Sequence, residues 1–243
     1  MYNNFKRLVH LMVPKRMTFK IEPYLRAVFS ITKRGKNHCC TICNFESNEW
    51  IIIENKDCLC ARCGSLSRDR RLWNIISTHY LKDNIKVLDF SPSRPLYRAW
   101  KKQKNIFYSA TDLSGDFIAD TKYDITNIAQ KTNSFDLILC YHILEHIIDD
   151  KKAMNELYRV LNPKGTILIQ TPFKEGEIYE DYTITSEKER LKHFGQADHV
   201  RIYSVNGLKE RLENVGFKIE ILQFKKDAFL GFSDHETVLI AVK

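Results

Sequence analysis

Ser134–Pro172 reads SFDLILCYHILEHIIDDKKAMNELYRVLNPKGTILIQTP, and its pattern decides the fold. Phe135–Cys140 is a short, almost wholly apolar run, suited to a strand buried on both faces. Asp149 and Asp150 are suited to a helix N-terminus, where side-chain oxygens cap free N–H groups and negative charge is favoured. Met154, Leu157, Tyr158 and Leu161 then recur at helical spacing. Asn162-Pro-Lys-Gly165 is expected to stop that helix. Thr166–Gln170 is a second buried strand. Strand, helix and strand make a βαβ unit, so the two strands should be parallel and the crossover right-handed. Ligands of such sheets lie beyond the carboxyl ends of the strands, which puts Cys140, Tyr141 and His142 at the chemistry.

The 243 residues allow one medium domain and a small extra one. No apolar run approaches membrane-spanning length, and the first 16 residues lack the cleavage pattern of a signal peptide. The charge is uneven. Residues 1–37 carry nine Lys/Arg and one Glu, a net of +8, which equals the formal net charge of the chain. The remainder is therefore neutral, and attraction to an acidic partner should come from the N-terminal arm. Within the arm, Phe5, Leu8, Val9 and Met12 share a helical face, and Ile21, Tyr24, Leu25, Val28 and Phe29 repeat the pattern after Pro14. A basic amphipathic segment of this kind suits an anionic membrane surface or RNA; packing on its own protein is the plainer use.

Six of the seven cysteines fall between Cys39 and Cys63. Such clustering favours a metal site in a reducing compartment over a disulfide scaffold. Two Cys-x-x-Cys knuckles, Cys40/Cys43 and Cys60/Cys63, can each give two thiolates to one tetrahedral Zn²⁺, with Cys39 and Cys58 as competing ligands. Four protein thiolates leave no open position, so the zinc is expected to be structural. Arg68, Arg70 and Arg71 follow on a predicted helix capped by Ser65 or Ser67 and running to about Leu81, and a solvated face is their expected use.

Residues 85–90 form the first core strand, ending near Asp89. Residues 106–111 form the second, followed by Asp112, a carboxylate placed to accept hydrogen bonds from both hydroxyls of a ribose. Residues 117–120 are a short expected third strand. After Gln170 comes a polar insertion, about 173–203, holding Asp198 and His199; Asp198 can orient His199 as a base, and a polar lid that only excludes water is the alternative. A helix capped at Ser204 and ended by Gly216 precedes two final strands, 217–222 and 236–242. His142-Ile-Leu-Glu-His146 also fits the bare pattern of an inverted zinc peptidase, but a strand leads straight into it, which does not suit two histidines on one helical face.

The stretch 134–172 resembles the fourth-to-fifth-strand region of class I S-adenosylmethionine (SAM) dependent methyltransferases. "CARCGSLSRDRRL" (60–72) is similar to the end of a cysteine-rich module that precedes such domains in a group of bacterial proteins, and "ERLKHFGQADHVRIYS" (189–204) resembles the same subgroup. The resemblance implies an α/β, Rossmann-like, seven-stranded and mostly parallel sheet in the order 3-2-1-4-5-7-6. It implies a zinc-ribbon-like module over 38–66 and a methyltransferase domain over 67–243, behind the basic amphipathic arm over 1–37. It also implies SAM contacts at Asp89, Ser91, Ser93, Asp112, Asp124, Ile125 and Cys140, with Asp124 reaching the adenine amino group and Ile125 packing on the ring. The loop Ser91-Pro-Ser-Arg-Pro95 departs from the family's usual glycine-rich turn, although a subgroup has a similarly Gly-poor loop there; Ser91 and Ser93 are small enough to allow close approach.

The expected activity is transfer of the SAM methyl group to an O or N acceptor: a small molecule, saccharide or lipid-linked group. His142, His199 and Asp198 are the candidate catalytic residues, with structural Zn²⁺ on Cys40, Cys43, Cys60 and Cys63. Alternatives are a ribosomal RNA methyltransferase and a non-catalytic protein that kept the fold. A cytoplasmic enzyme, peripheral at the inner membrane face through its arm, is the expected location.

Overall fold

The computed structural model describes residues 15–54 and 56–243, so the amphipathic pattern over 1–14 lies outside the described residues. The chain divides into two compact units. One runs to His79 and adds Ser93–Lys102 and Lys225–Asp234; the other comprises Tyr80–Pro92, Gln103–Phe224 and His235–Lys243. The boundary therefore differs from one at residue 67, because two helices and a late loop join the cysteine-rich unit.

That unit opens with helix α1 (Lys15–Ile31), which contains Pro23. Proline has no N–H for the carbonyl four residues back. Here that carbonyl, Phe19 O, accepts instead from Arg98 Nη2 at 3.0 Å. Glu22 pairs with Arg26, Arg94 and Arg98, which fixes one side of α1. Tyr24, Val28 and Ile31 remain exposed. Two short antiparallel pairs follow: β1 (Arg34–Cys39) with β2 (Glu46–Ser47), and β3 (Ile51–Ile52) with β4 (Cys58–Leu59). Each Cys-x-x-Cys turn follows directly on a strand, β1 or β4, and closes with a backbone bond to its first cysteine, Asn44 N to Cys40 O (2.8 Å) and Gly64 N to Cys60 O (2.9 Å).

Helix α2 (Ser67–His79) ends two residues before the expected Leu81. Neither expected serine caps it; Asp69 Oδ2 reaches back to accept from Leu66 N at 2.9 Å, the carboxylate half of a capping box. Arg70 and Arg71 are buried rather than solvated. Arg70 donates to the carbonyls of Cys58, Ser65, Leu230 and Gly231 and stacks on Trp50, 4.1 Å from the ring centre. Arg71 donates to the carbonyls of Lys225 and Ser233. A helical pattern marks these positions only as polar; two of the Arg70 acceptors and both of the Arg71 acceptors lie 154–162 residues away. Helix α3 (Arg94–Lys101) completes the unit's core, with Trp100 edge-on to Trp73 at 5.4 Å.

The second unit is a six-stranded sheet built from β5 (Lys86–Phe90), β6 (Phe107–Thr111), β7 (Phe135–Tyr141), β8 (Leu161–Gln170), β12 (Lys218–Phe224) and β13 (Glu236–Val242), ordered β12-β13-β8-β7-β5-β6. Two short strands, β9 (Phe173–Lys174) and β10 (Tyr179–Glu180), pair with β11 (Arg201–Ser204) in the insertion. The sheet order is the expected one without its third strand. Residues 117–120 form no strand: a single parallel bridge joins Thr111 to Thr121, and Asp120 Oδ2 takes the Ala110 N–H at 3.2 Å. A carboxylate thus replaces a ladder carbonyl. β13 alone runs antiparallel to its neighbours β8 and β12.

Helix α4 (Asp150–Val160) is capped by Asp149, which accepts from Lys152 N at 3.0 Å. Its buried face, Ala153, Met154, Leu157 and Val160, joins the core with Ile138, Ile167 and Leu239. The expected stop at Asn162–Gly165 falls inside β8 as a register shift against β7. Helix α5 (Glu187–Phe194) lies in the insertion. Helix α6 (Val205–Val215) is capped by Ser204 and ends at Gly216, whose φ of 113° is one that glycine adopts without strain.

Candidate active site

The carboxyl ends of three adjacent parallel strands, β7, β5 and β6, carry the site. Two non-glycine residues there hold left-handed backbone: Ser91, after β5, at φ 47°, and His142, after β7, at φ 55°. Each conformation costs about 1–2 kcal/mol for a residue with a Cβ, and such strain collects where function requires it. Ser91 N donates to Thr111 O (2.7 Å) and His142 N to Gln170 O (2.8 Å), bonds that hold both turns.

Asp112 is buried at the end of β6. Its Oδ1 accepts from Ser91 Oγ at 2.7 Å; its Oδ2 accepts from Ser114 Oγ, Gly115 N and Phe117 N. Burial pushes its carboxyl up, but these bonds outweigh burial and hold it below the usual range. Asp89, buried at the end of β5, accepts from Tyr108 Oη at 3.0 Å. Asp124 forms a turn: its Oδ1 accepts from both Thr126 N and Thr126 Oγ1 at 2.8 Å. Ile125 beside it is buried with Phe90, Ile128 and Leu144. Ser93 belongs to the cysteine-rich unit, where it is the N-cap residue of α3. Cys140 is a core residue, packed in the same cluster as Leu88, Ile138 and Ile169; burial raises its thiol well above the ordinary value. Strand alternation explains the difference from a ligand contact: at Cys140 the side chain faces the core.

After β7 the chain does not enter a helix. Leu144–His146 form a single 3₁₀ turn. His142 and His146 therefore share no helical face, and the arrangement of an inverted zinc peptidase is absent. Val200 N donates to Glu145 O at 2.9 Å, which brings the insertion against this loop. The guanidinium of Arg201, fully buried, donates to the carbonyls of Leu144 (3.2 Å), Ile147 and Ile148 (2.8 Å). The same group pairs with Glu180 at 2.9 Å, and Arg211 bridges Glu180 and Asp150, to which Tyr203 also donates. Arg201 lies in the insertion that the sequence marks only as polar. Its clamp on three carbonyls shows in no local pattern.

The clamp places Glu145, His146 and His199 together. Glu145 is 1% exposed, and neither oxygen has an aligned hydrogen bond; His142 Nδ1 lies 3.2 Å from Oε1. Burial raises the Glu145 carboxyl, and the adjacent His142 more than offsets it. Asp198 does not orient His199. Its Oδ2 lies 3.3 Å from His146 Nδ1, on the surface. The His199 ring meets His146 edge-on at 4.7 Å, and burial together with His146 lowers its pKa.

In the other unit, Cys40, Cys43, Cys60 and Cys63 bring four sulfurs within 4.8 Å of one another; Cys39 and Cys58 are not in the group. Cys40–Cys63 and Cys43–Cys60 are 3.6 and 3.8 Å apart. Zn–S bonds of about 2.3 Å in a tetrahedron give S–S edges of about 3.8 Å. A disulfide needs about 2.05 Å. The donor set and its spacing fit a thiolate-bound zinc.

A family model described as a methyltransferase domain matches residues 60–221. An uncharacterized protein of Methanocaldococcus jannaschii is 35% identical over 75 residues, 29% of this chain and 33% of that protein, so the match spans about a third of the relative's length. Among solved structures, a SAM-dependent methyltransferase from Archaeoglobus fulgidus aligns with a TM-score of 0.53 at 19% identity, over 72% of this chain and 93% of that one. A phosphoethanolamine N-methyltransferase from Haemonchus contortus, solved with SAM, aligns with a TM-score of 0.51 at 17% identity, over 72% and 52% of the two chains.

Proposed function

This chain belongs to the methyltransferase domain family, and we propose that it transfers the methyl group of SAM to an O or N acceptor: a small molecule, saccharide or lipid-linked group. The observation that carries this reading is the edge formed by Ser91, Asp112 and His142, where three neighbouring parallel strands end and two residues hold strained backbone. In this reading Asp112 takes the ribose through Oδ1, which accepts one bond from within the protein. Asp89 and Ser91 border the amino-acid half, and Asp124 with Ile125 borders the adenine. SAM supplies an activated methyl group with a good leaving group. The protein's part is positioning, exclusion of water and removal of a proton where the acceptor requires it. His142 and His199 are the bases nearest that role, and Asp198 contributes through His146.

The non-catalytic alternative drew its support from the absence of glycine after Asp89. Ser91 at φ 47° weakens that objection, since its backbone makes the turn glycine would make. The cysteine group holds a structural zinc in this proposal, because four thiolates fill its coordination. The arm acts in the cytoplasm as a peripheral anchor on an anionic membrane face. Its support is the exposed row Tyr24, Val28 and Ile31 beside the chain's excess positive charge. No helix of the described residues is long and apolar enough to cross a membrane.

The test is incubation of the protein with methyl-labelled SAM and fractionated cell extract, alongside calorimetry with SAM alone. Label in a small molecule, glycan or lipid fraction supports the reading. Label in ribosomal RNA moves the RNA enzyme to first place. SAM binding with no label in any fraction supports the non-catalytic protein.

A further inference from the structure

The geometry points to a second metal site, distinct from the cysteine group: Glu145, His146 and His199 bind one divalent first-row transition ion, which takes the oxygen of a hydroxyl acceptor. This deepens the methyltransferase reading and rests on it for the acceptor. One ligand atom from each of the three residues lies within 4.8 Å of the other two. Spacing alone would be weak support. The independent observation is the state of their polar atoms. Glu145 is 1% exposed and His199 3% exposed; His142 Nδ1 lies 3.2 Å from Glu145 Oε1 without an aligned hydrogen bond, and Glu145 Oε2 and His199 Nε2 have no partner. A buried carboxylate with only one imidazole beside it leaves acceptor capacity unused, which a cation at Oε2 would fill.

The histidines are held as metal ligands usually are. We assign His199 Nδ1 to the Phe194 carbonyl, because Nε2 is the buried nitrogen without a partner. Nε2 then carries a lone pair. His146 faces Asp198 Oδ2 through Nδ1 at 3.3 Å, which leaves its Nε2 as the ligand atom. A carbonyl or carboxylate behind each imidazole fixes the tautomer and raises its basicity. The backbone is rigid at the same place: Val200 N bonds Glu145 O, and Arg201 clamps the carbonyls of Leu144, Ile147 and Ile148. Both ligand segments are thus tied before any ion arrives.

Two imidazoles and one carboxylate suit Zn²⁺, Fe²⁺, Co²⁺ or Mn²⁺ and leave coordination positions open. This contrasts with the closed Cys₄ group. A hydroxyl on an open position loses its proton more easily, as metal-bound water does. With its Nε2 on the ion, His199 gives up the role of base, and in the proposed step that proton passes to His142 or water. The acceptor oxygen forms a bond to the methyl carbon as the S–CH₃ bond breaks. The bonding pair stays on sulfur, giving S-adenosylhomocysteine and a methyl ether.

The test uses the full chain, stripped with a mild chelator that leaves thiolate-bound zinc in place, and titrated with Mn²⁺ and Co²⁺. Loss of the free-Mn²⁺ resonance reports binding, and elemental analysis counts the zinc. One equivalent of Mn²⁺ beyond the zinc is expected, with affinity falling more than about 100-fold in Glu145→Gln and in His199→Asn, a larger loss than removal of a supporting partner causes. Both variants should keep their zinc and melt cooperatively. Wild-type protein that binds no second ion overturns the site whatever the variants do, and so does unchanged affinity in Glu145→Gln. SAM calorimetry on the same samples separates the two readings: SAM bound without Mn²⁺ sinks the metal site alone, and Mn²⁺ bound without SAM sinks the methyltransferase reading alone. Label recovered from the extract in a methyl ether supports the hydroxyl acceptor; label in an N-methyl group overturns it.

Discussion

Ser91 Oγ donates to Asp112 Oδ1 at 2.7 Å, tying the turn after β5 to the tip of β6. The bond joins the strained residue of one strand end to the carboxylate of the next, so the two residues form one supporting edge. Asp112→Ala is expected to weaken SAM binding by about 1.5–3 kcal/mol, the range for hydrogen bonds to a charged group. Titration calorimetry decides it, and an unchanged affinity would place the ribose elsewhere.

Ser91→Val tests the backbone rather than the hydroxyl alone. A β-branched residue tolerates φ near 47° poorly. Together with the lost bond to Asp112, the change should destabilise the sheet unit by about 1–3 kcal/mol in urea unfolding. Ser91→Gly, which relieves the strain while losing the same bond, should cost less. Equal losses in the two variants would show that φ is unimportant here.

The cysteines offer an internal contrast. Cys60→Ser should lower zinc content and loosen the cysteine-rich unit, because the binding energy of a structural zinc is also folding energy. Cys39→Ser and Cys58→Ser, outside the four-sulfur group, should retain the metal. Zinc fully retained by Cys60→Ser would remove that residue from the ligand set.

Arg201 sustains the loop after β7. Arg201→Met removes the guanidinium from three carbonyls and takes one of two arginines from Glu180, and the loss of one partner from a buried pair costs about 3–5 kcal/mol. The loss should appear as a lower urea midpoint. Wild-type stability in this variant would mean that the loop is held by its backbone bonds alone.

Acid sensitivity should trace to Glu180. Burial pushes its carboxyl up, but Arg211 and Arg201 outweigh burial and hold it at about 2, against an ordinary value of 4.5. A carboxylate with a depressed folded pKa contributes stability above the unfolded value and loses it as pH falls toward the folded one. The stability difference between wild type and Glu180→Gln should therefore be constant above about pH 5 and shrink between 4.5 and 2. A difference that does not change across that window would detach Glu180 from acid unfolding.

How much of this was legible depends on the range of the interaction that sets each residue. The strands β7 and β8 could be read because a buried parallel strand must be apolar throughout, and the α4 cap because Asp149 acts three residues away. The grouping of Cys40, Cys43, Cys60 and Cys63 followed from two local spacings. The third strand was over-read: Phe117 is half exposed, and the Asp120 side chain, not a strand, satisfies Ala110. Arg70 and Arg71 were misread for the opposite reason, since half of the Arg70 acceptors and both Arg71 acceptors come from Lys225–Ser233. The pairing of Asp198 with His146 instead of its neighbour His199 is a product of how the 3₁₀ turn meets the insertion, and no periodicity encodes that.

The loop Lys225–Asp234 completes the cysteine-rich unit although it leaves β12 and returns as β13. Arg70 finds two of its four carbonyl acceptors at Leu230 and Gly231. On the ribosome the chain emerges from its N-terminus, so the cysteines are exposed to solvent long before residue 230 is. Until then the Arg70 guanidinium has only half its acceptors. The first unit to be synthesised is thus among the last to be finished, and a nascent chain stalled before residue 225 should bind zinc yet remain open to proteases around α2.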